Sequence, residues 1–285
     1  MTKTSDQNTN NAVLQEVARD LRLDVLEMTT GAGSGHPSSS FSSVEILTAL
    51  FFGGPTGTGV LRYKSDEPQW PERDRFIISK GHAAPLLYAV LARAGYFERD
   101  RLWTLRRVNS PVEGHPVQGR LPGIETTSGS LGKGLSVGLG HVLGGRLNQL
   151  DYHVYVLMGD GECEEGQVWE AAMAAAHFRA DRLHAIVDYN KYQETGPIQR
   201  EMGLEPFATK WRAFGWHVEN VDGHDIGALC QTLEDIRHIS GQPSIVLAHT
   251  VKGKGVTFVE ADYTFHGRAL TPEQAEKARE ELQCC

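Results

Sequence analysis

Leu157-Met-Gly-Asp160-Gly-Glu-Cys-Glu-Glu-Gly166, then an Ala-rich run, then Ile186-Val-Asp-Tyr-Asn190-Lys-Tyr192 decide the fold of this chain. The apolar stretch His153–Met158 reads as a strand that ends in Gly-Asp-Gly. The stretch His184–Val187 reads as a second strand, ending in Asp188-Tyr-Asn190. Glu164–Phe178, rich in Ala between them, suits a helix, so the segment is a β-α-β unit. Such units carry ligand-binding groups at the carboxyl ends of their strands. Asp160 and Asn190 are therefore expected side by side at one edge, with Gly159 and Gly161 allowing close backbone approach. A carboxylate, an amide oxygen and a nearby carbonyl suit Mg²⁺ or Ca²⁺.

Outward from this unit the same alternation continues. Val13, Val17, Leu21, Val25 and Met28 recur at helical spacing across Ala12–Thr30. Phe41–Phe52, Ala84–Ala94, Leu131–Leu147 and Ile226–Ile239 read as further helices, and Arg75–Ser79, His217–Val221 and Ser244–Ala248 as strands. Strands alternating with helices predict an α/β domain, a mainly parallel sheet with helices on both faces. Residues 1–11 are polar and read as a disordered arm, 12–270 as the domain, and 271–285 as a C-terminal helix or tail. The irregular stretch Arg106–Thr127, with prolines at 111, 116 and 122, has the length of a functional loop.

Composition narrows the function. The formal charge of -8 argues against a general nucleic-acid surface. No run of 18 apolar residues is present to span a membrane, and the polar start lacks the apolar core of a secretory signal. The 4 cysteines show no zinc-ligand spacing, and a reducing cytoplasm is the expected location. Ser128-Gly-Ser-Leu-Gly-Lys-Gly134 fails the phosphate-loop pattern, with Thr127 in place of the first Gly and Gly134 in place of Ser/Thr. Lys252-Gly-Lys254-Gly reads equally well as a solvated turn or as basic groups beside a diphosphate. Among 12 histidines, His36, His82, His115, His141 and His224 follow a glycine. His141 lies in an apolar helix and is expected to pack. His36, His82, His115 and His266 lie in Gly-containing loops that can bring imidazoles to a ligand, where they can donate and accept protons near neutral pH.

The Gly-Asp-Gly block with its downstream Asn resembles the thiamine diphosphate signature. The chain resembles the amino-terminal part of the transketolase family collinearly from about Leu14 to Leu270. The resemblance rests on Gly35-His36-Pro37, Ser79-Lys-Gly81-His82-Ala83, Gly114-His115-Pro116, Thr127-Ser-Gly129-Ser-Leu131-Gly132-Lys-Gly134, the Gly-Asp-Gly block and Phe265-His266-Gly267. It implies a thiamine diphosphate-binding fold, with Asp160, Asn190 and the Tyr192 carbonyl as Mg²⁺ ligands and the Gly161 N–H on the diphosphate. Gly129, Ser130 and Leu131 would line the middle of the cofactor, although many family members have Pro at the position of Ser130. His36, His115 and His266 would face a sugar substrate, and His82 and His266 the cofactor. Glu165 would join an acidic network between paired active sites, although carboxylates at a helix start also have a plain helix-dipole explanation. A complete transketolase is more than twice as long. The resemblance therefore implies a split enzyme, in which a separate C-terminal subunit completes an α₂β₂ assembly and a two-carbon ketol unit passes from a ketose to an aldose. Two alternatives stand beside it: another thiamine enzyme that passes a ketol-derived unit to a carrier, and a non-catalytic regulatory or scaffold subunit.

Overall fold

The computed structural model describes residues 3–54 and 59–284. Five strands form one all-parallel sheet: β1 (Arg75–Ile78), β2 (Val154–Gly159), β3 (Leu183–Tyr189), β4 (His217–Asp222) and β5 (Ser244–His249), in the order β1-β2-β3-β5-β4. The helices are α1 (Lys3–Ala32), α2 (Pro37–Phe41), α3 (Val44–Phe52), α4 (Ala84–Arg93), α5 (Gly134–Leu147), α6 (Gly166–His177), α7 (Ile198–Glu201), α8 (Phe207–Ala213), α9 (Ile226–Arg237) and α10 (Pro272–Gln283).

Strand side chains alternate between two apolar cores, as the period of two requires. Tyr155, Leu157, Ile186, Val246 and Ala248 join α1, α3, α4 and α9 on one face. Val154, Val156, Met158, Ala185, Val187, Ile245 and Leu247 join α5, α6 and α8 on the other. Coverage of both faces explains why β2 and β3 are nearly continuous apolar runs.

The structure departs from the sequence reading at the amino end. Helix α1 begins at Lys3 and takes in most of the stretch expected to be an arm; Met1 and Thr2 lie outside the described residues. Once one turn is packed, each added residue gains a backbone hydrogen bond without a new nucleation cost, so a helix extends into polar sequence. At the other end, α10 is packed rather than loose. Thr271 and Gln274 form a reciprocal capping box with Pro272 in the first turn, and Ala275, Ala278 and Leu282 are buried. Contacts with α1 make this helix part of the domain. Cys284 beyond it is exposed, and Cys285 lies outside the described residues.

Candidate active site

The carboxyl edge of the sheet holds a cleft of about 410 Å³. Four strands feed it. Lys80 follows β1, Asp160 follows β2, Asn190 follows β3 and Lys252 lies beyond β5. The register pairs Gly159 with Asp188, so Asp160 and Asn190 stand at the same edge, as the β-α-β reading requires. Both are buried and both line the cleft, together with Gly161 and Tyr192.

Asp188 is the hub beneath this edge. It is fully buried and accepts from Lys80 Nζ, Thr250 Oγ1, Ser42 Oγ (2.7 Å) and Asn190 Nδ2 (3.0 Å). Burial opposes its charge, but the Lys80 ammonium and these donors hold its carboxyl down to about 2. Lys80 also donates to the Ser39 carbonyl (2.9 Å) and Ser43 Oγ (3.1 Å), fastening α2 to the sheet. Because the Asn190 amide nitrogen is engaged by Asp188, its Oδ1 is left as an acceptor at the cleft, where it takes the Tyr192 N–H at 3.1 Å.

Unlike Asp188, Asp160 makes no ion pair among the described residues, and the Lys80 charge acts on it only weakly. Its carboxylate accepts from the Gly161 and Lys191 backbone N–H groups (2.9 and 2.6 Å). Burial, and then the charge on Asp188, push it up to about 7. A buried carboxylate under that electrostatic load, at the same edge as the Asn190 amide oxygen and Tyr192, fits a divalent cation with a preference for oxygen ligands. Among the described residues no three His, Cys, Asp or Glu side chains converge as a metal cluster, so such an ion would rely on this mixed oxygen set.

Three imidazoles form the opposite wall. The His36, His82 and His266 rings lie 5.1 Å (His36–His82), 5.4 Å (His36–His266) and 5.2 Å (His82–His266) apart, centre to centre, with His36 and His266 on loops and His82 on the 3₁₀ turn Gly81–Ala83. Gly267, at φ 71°, lets the His266 loop close on them, since a Cβ there would stand 3.1 Å from His36 Nε2. Burial is the main cause of low basicity in all three. His36 is lowered to about 4, helped next by Arg106, and His266 to about 3, helped next by Lys252. His82 is held well below its ordinary value, with Lys80 as the second cause. All three are neutral at pH 7. His36 Nδ1 is buried without a hydrogen-bond partner. Lys252 Nζ lies 3.1 Å from both His266 Nδ1 and Ser39 Oγ, and burial, then Lys80, lower it to about 8. The choice left open for Lys252 thus falls against a solvated turn: the side chain is 1 % exposed and lines the cleft.

Gly129 and Leu131 line the cleft, whereas Ser130 is exposed and does not. His115 lies at the rim in a neighbouring depression, with its ring over Gly129, where a Cβ would meet it at 3.2 Å. Glu165 is exposed, away from the cleft wall. The carboxylate that does build the wall is Glu162, which accepts from Ser79 Oγ and from the Gly132 and Gly159 N–H groups (2.9 and 3.1 Å). Sequence reasoning passed over Glu162, Lys80 and Asp188 as functional residues. His141 is half-buried on α5, outside the cleft. Among the described residues no helix is long and apolar enough to cross a membrane.

Residues 13–284 match the family described as transketolase, thiamine diphosphate binding domain. The chain is 42% identical over 270 residues to the 6-deoxy-6-sulfo-D-fructose transketolase subunit SqwG of Clostridium sp. (strain MSTE9), covering 95% of this chain and 96% of that protein. It is 40% identical to the transketolase of Homo sapiens, covering 94% of this chain but only 42% of that longer protein. Among solved structures it is similar to transketolase from Campylobacter jejuni (29% identity, TM-score 0.88, 95% of this chain and 43% of that one). It is also similar to that from Leishmania mexicana (28%, TM-score 0.87, 95% and 41%).

Proposed function

The chain belongs to the transketolase thiamine diphosphate-binding domain family, and on that premise we propose that it is the diphosphate-binding subunit of a split transketolase. With a separate C-terminal subunit it forms a cytoplasmic α₂β₂ enzyme that transfers a two-carbon ketol unit from a ketose to an aldose. The observation that carries this reading is the match to SqwG over nearly the whole of both chains, since that protein is itself a subunit. Its substrate is a sulfonated ketose by name, which supports a donor with an anionic end, phosphate or sulfonate.

Thiamine diphosphate, when bound, supplies the carbanion-stabilising chemistry. The chain's own residues hold and orient. Asp160, Asn190 and the Tyr192 carbonyl hold Mg²⁺ (or Ca²⁺), and that ion meets the negative load on Asp160. Lys252 would face the diphosphate, the Gly161 N–H, which here donates to Asp160, would be shared with it, and Gly129 and Leu131 would follow the body of the cofactor. Being neutral at pH 7, His36 and His266 offer both donor and acceptor nitrogens to the sugar's hydroxyl and carbonyl oxygens. His82 stands behind them towards the cofactor, and His115 meets the substrate from the rim. Glu165, exposed and away from the cleft wall, would link to a second active site through the assembly.

The test is reconstitution. The chain is mixed with a candidate C-terminal subunit, thiamine diphosphate and Mg²⁺, and the products from phosphorylated and sulfonated ketoses are identified by mass spectrometry. Ketol transfer by the mixture and none by the chain alone supports the proposal. Robust transfer by the chain alone overturns the split, and a tight, cofactor-loaded complex without transfer overturns the activity.

A further inference from the structure

Of His36, His82, His115 and His266, all but His82 lie on loops, and the His36 and His115 loops share one guanidinium. Arg106 Nη1 donates to Ser34 Oγ at 2.7 Å, two residues before His36. The same guanidinium lies flat against Gly114, immediately before His115: a Cβ on Gly114 would stand 2.9 Å from Arg106 Nε and 3.0 Å from its Cζ. Gly114 is therefore needed for close approach rather than for a turn. The Arg106 backbone is held equally firmly. Its N–H donates to the Val112 carbonyl at 2.9 Å, and its φ of 59° is a strained value for a residue with a side chain. Among the described residues the guanidinium makes no ion pair, and Glu113 in the same depression is paired with Arg120 instead. Nothing here resembles a charge placed for stability.

We propose that Arg106 is a positioning residue that clamps the His36 loop to the His115 loop and sets the spacing between the His36 imidazole in the cleft and the His115 imidazole at its rim. This rests on the functional reading above for its effect on rate, but not for its effect on the imidazoles. The charge of Arg106 also bears on both rings, after burial, and favours their neutral forms. The other groups facing His36 are the Lys80 and Lys252 ammoniums and the His82, His115 and His266 rings. None of these lies on the segment carrying Arg106 except His115.

The experiment follows the histidine ring signals of the full chain by NMR against pH, and the kcat and KM of the reconstituted complex, for Arg106→Met, Arg106→Lys and Ser34→Ala. Removing the cation should raise the titration midpoints of both His36 and His115 measurably above wild type. Arg106→Lys keeps the charge and loses the fork, so midpoints should stay near wild type while kcat/KM still falls. Ser34→Ala cuts one end of the clamp with the charge in place, and should lower kcat/KM about 10-fold with unchanged cofactor affinity. Double substitution at Ser34 and Arg106 should be non-additive. Unmoved midpoints in a folded Arg106→Met, or wild-type kcat/KM in both Ser34→Ala and Arg106→Lys, would overturn the clamp. If the unaltered complex transfers no ketol unit, the functional reading has failed, and the midpoints alone then decide whether Arg106 acts on the two rings.

Discussion

The two ends of the sheet each carry a histidine cluster, and the contrast separates function from stability. At the carboxyl edge, His36, His82 and His266 line a cleft without bonding to one another, although each edge leaves one buried ring nitrogen without a partner, His36 Nδ1 here and His184 Nδ1 at the other. At the amino edge, His153 Nδ1 and His184 Nε2 bond to each other at 2.7 Å, with rings stacked 5.0 Å apart beside Tyr155. Arg237 ties this end together by donating to the Tyr155 hydroxyl (2.7 Å) and Asp74 (3.0 Å). Both clusters are neutral, chiefly through burial. Low basicity alone therefore does not mark a site; a low-basicity group facing a cleft does.

Predictions that separate the ends run from large to small. Asp160→Ala in the reconstituted enzyme should remove nearly all turnover. Even outer-shell partners of a metal cost 10–100-fold, so losing the ligand should cost more than about 100-fold. Retained activity at saturating cofactor would place the metal elsewhere. His36→Ala and His266→Ala should lower kcat/KM by about 10²–10⁴-fold with little change in melting temperature. His184→Ala should do the reverse, costing roughly 2–4 kcal/mol of stability through a cavity and an orphaned His153 nitrogen, with activity per folded molecule intact. An active-site phenotype for His184, or a purely thermal one for His36, would erase the contrast between the ends.

Acid should act on both ends with one sign. A histidine at about 4 in the fold and about 6.5 unfolded binds its proton more readily once unfolded. Its stabilising contribution is complete above about pH 6.5 and is lost as pH falls towards 4. Urea titrations across that window should show falling stability, and His153→Gln should flatten the slope. A flat profile in the wild type would contradict the burial argument. The smallest expected effect is that of Glu165→Gln, which should alter assembly or coupling between sites, read by ultracentrifugation and cofactor stoichiometry, more than chemistry at one site. Collapse of single-site kinetics with normal assembly would instead make Glu165 a catalytic group.

The parts of this architecture that were legible in sequence are local ones. Gly-Asp-Gly, the downstream Asn and the Gly-His loops each carry their signal within a few residues, and the sheet's apolar runs show the strands. What sequence hid depends on long-range pairing. Asp188 reads as the end of an apolar strand, because the ammonium that makes it tenable, Lys80, comes from 108 residues earlier. Helix α8 was obscured by Pro197, Gly203 and Pro206, although its Trp211 is fully buried and packs 4.9 Å from Trp169, ring to ring. Glu165 drew attention through the family resemblance, against a plain helix-start explanation, while Glu162 holds Ser79 and two backbone N–H groups across loops that sequence spacing does not join.

The most direct measurement is a calorimetric titration of thiamine diphosphate into the reconstituted complex, with and without Mg²⁺, for the wild type, Asp160→Ala and His184→Ala. Mg²⁺-dependent binding should be lost in Asp160→Ala and preserved in His184→Ala. Equal affinity in all three, with or without the ion, would contradict the assignment of the carboxyl edge as the site.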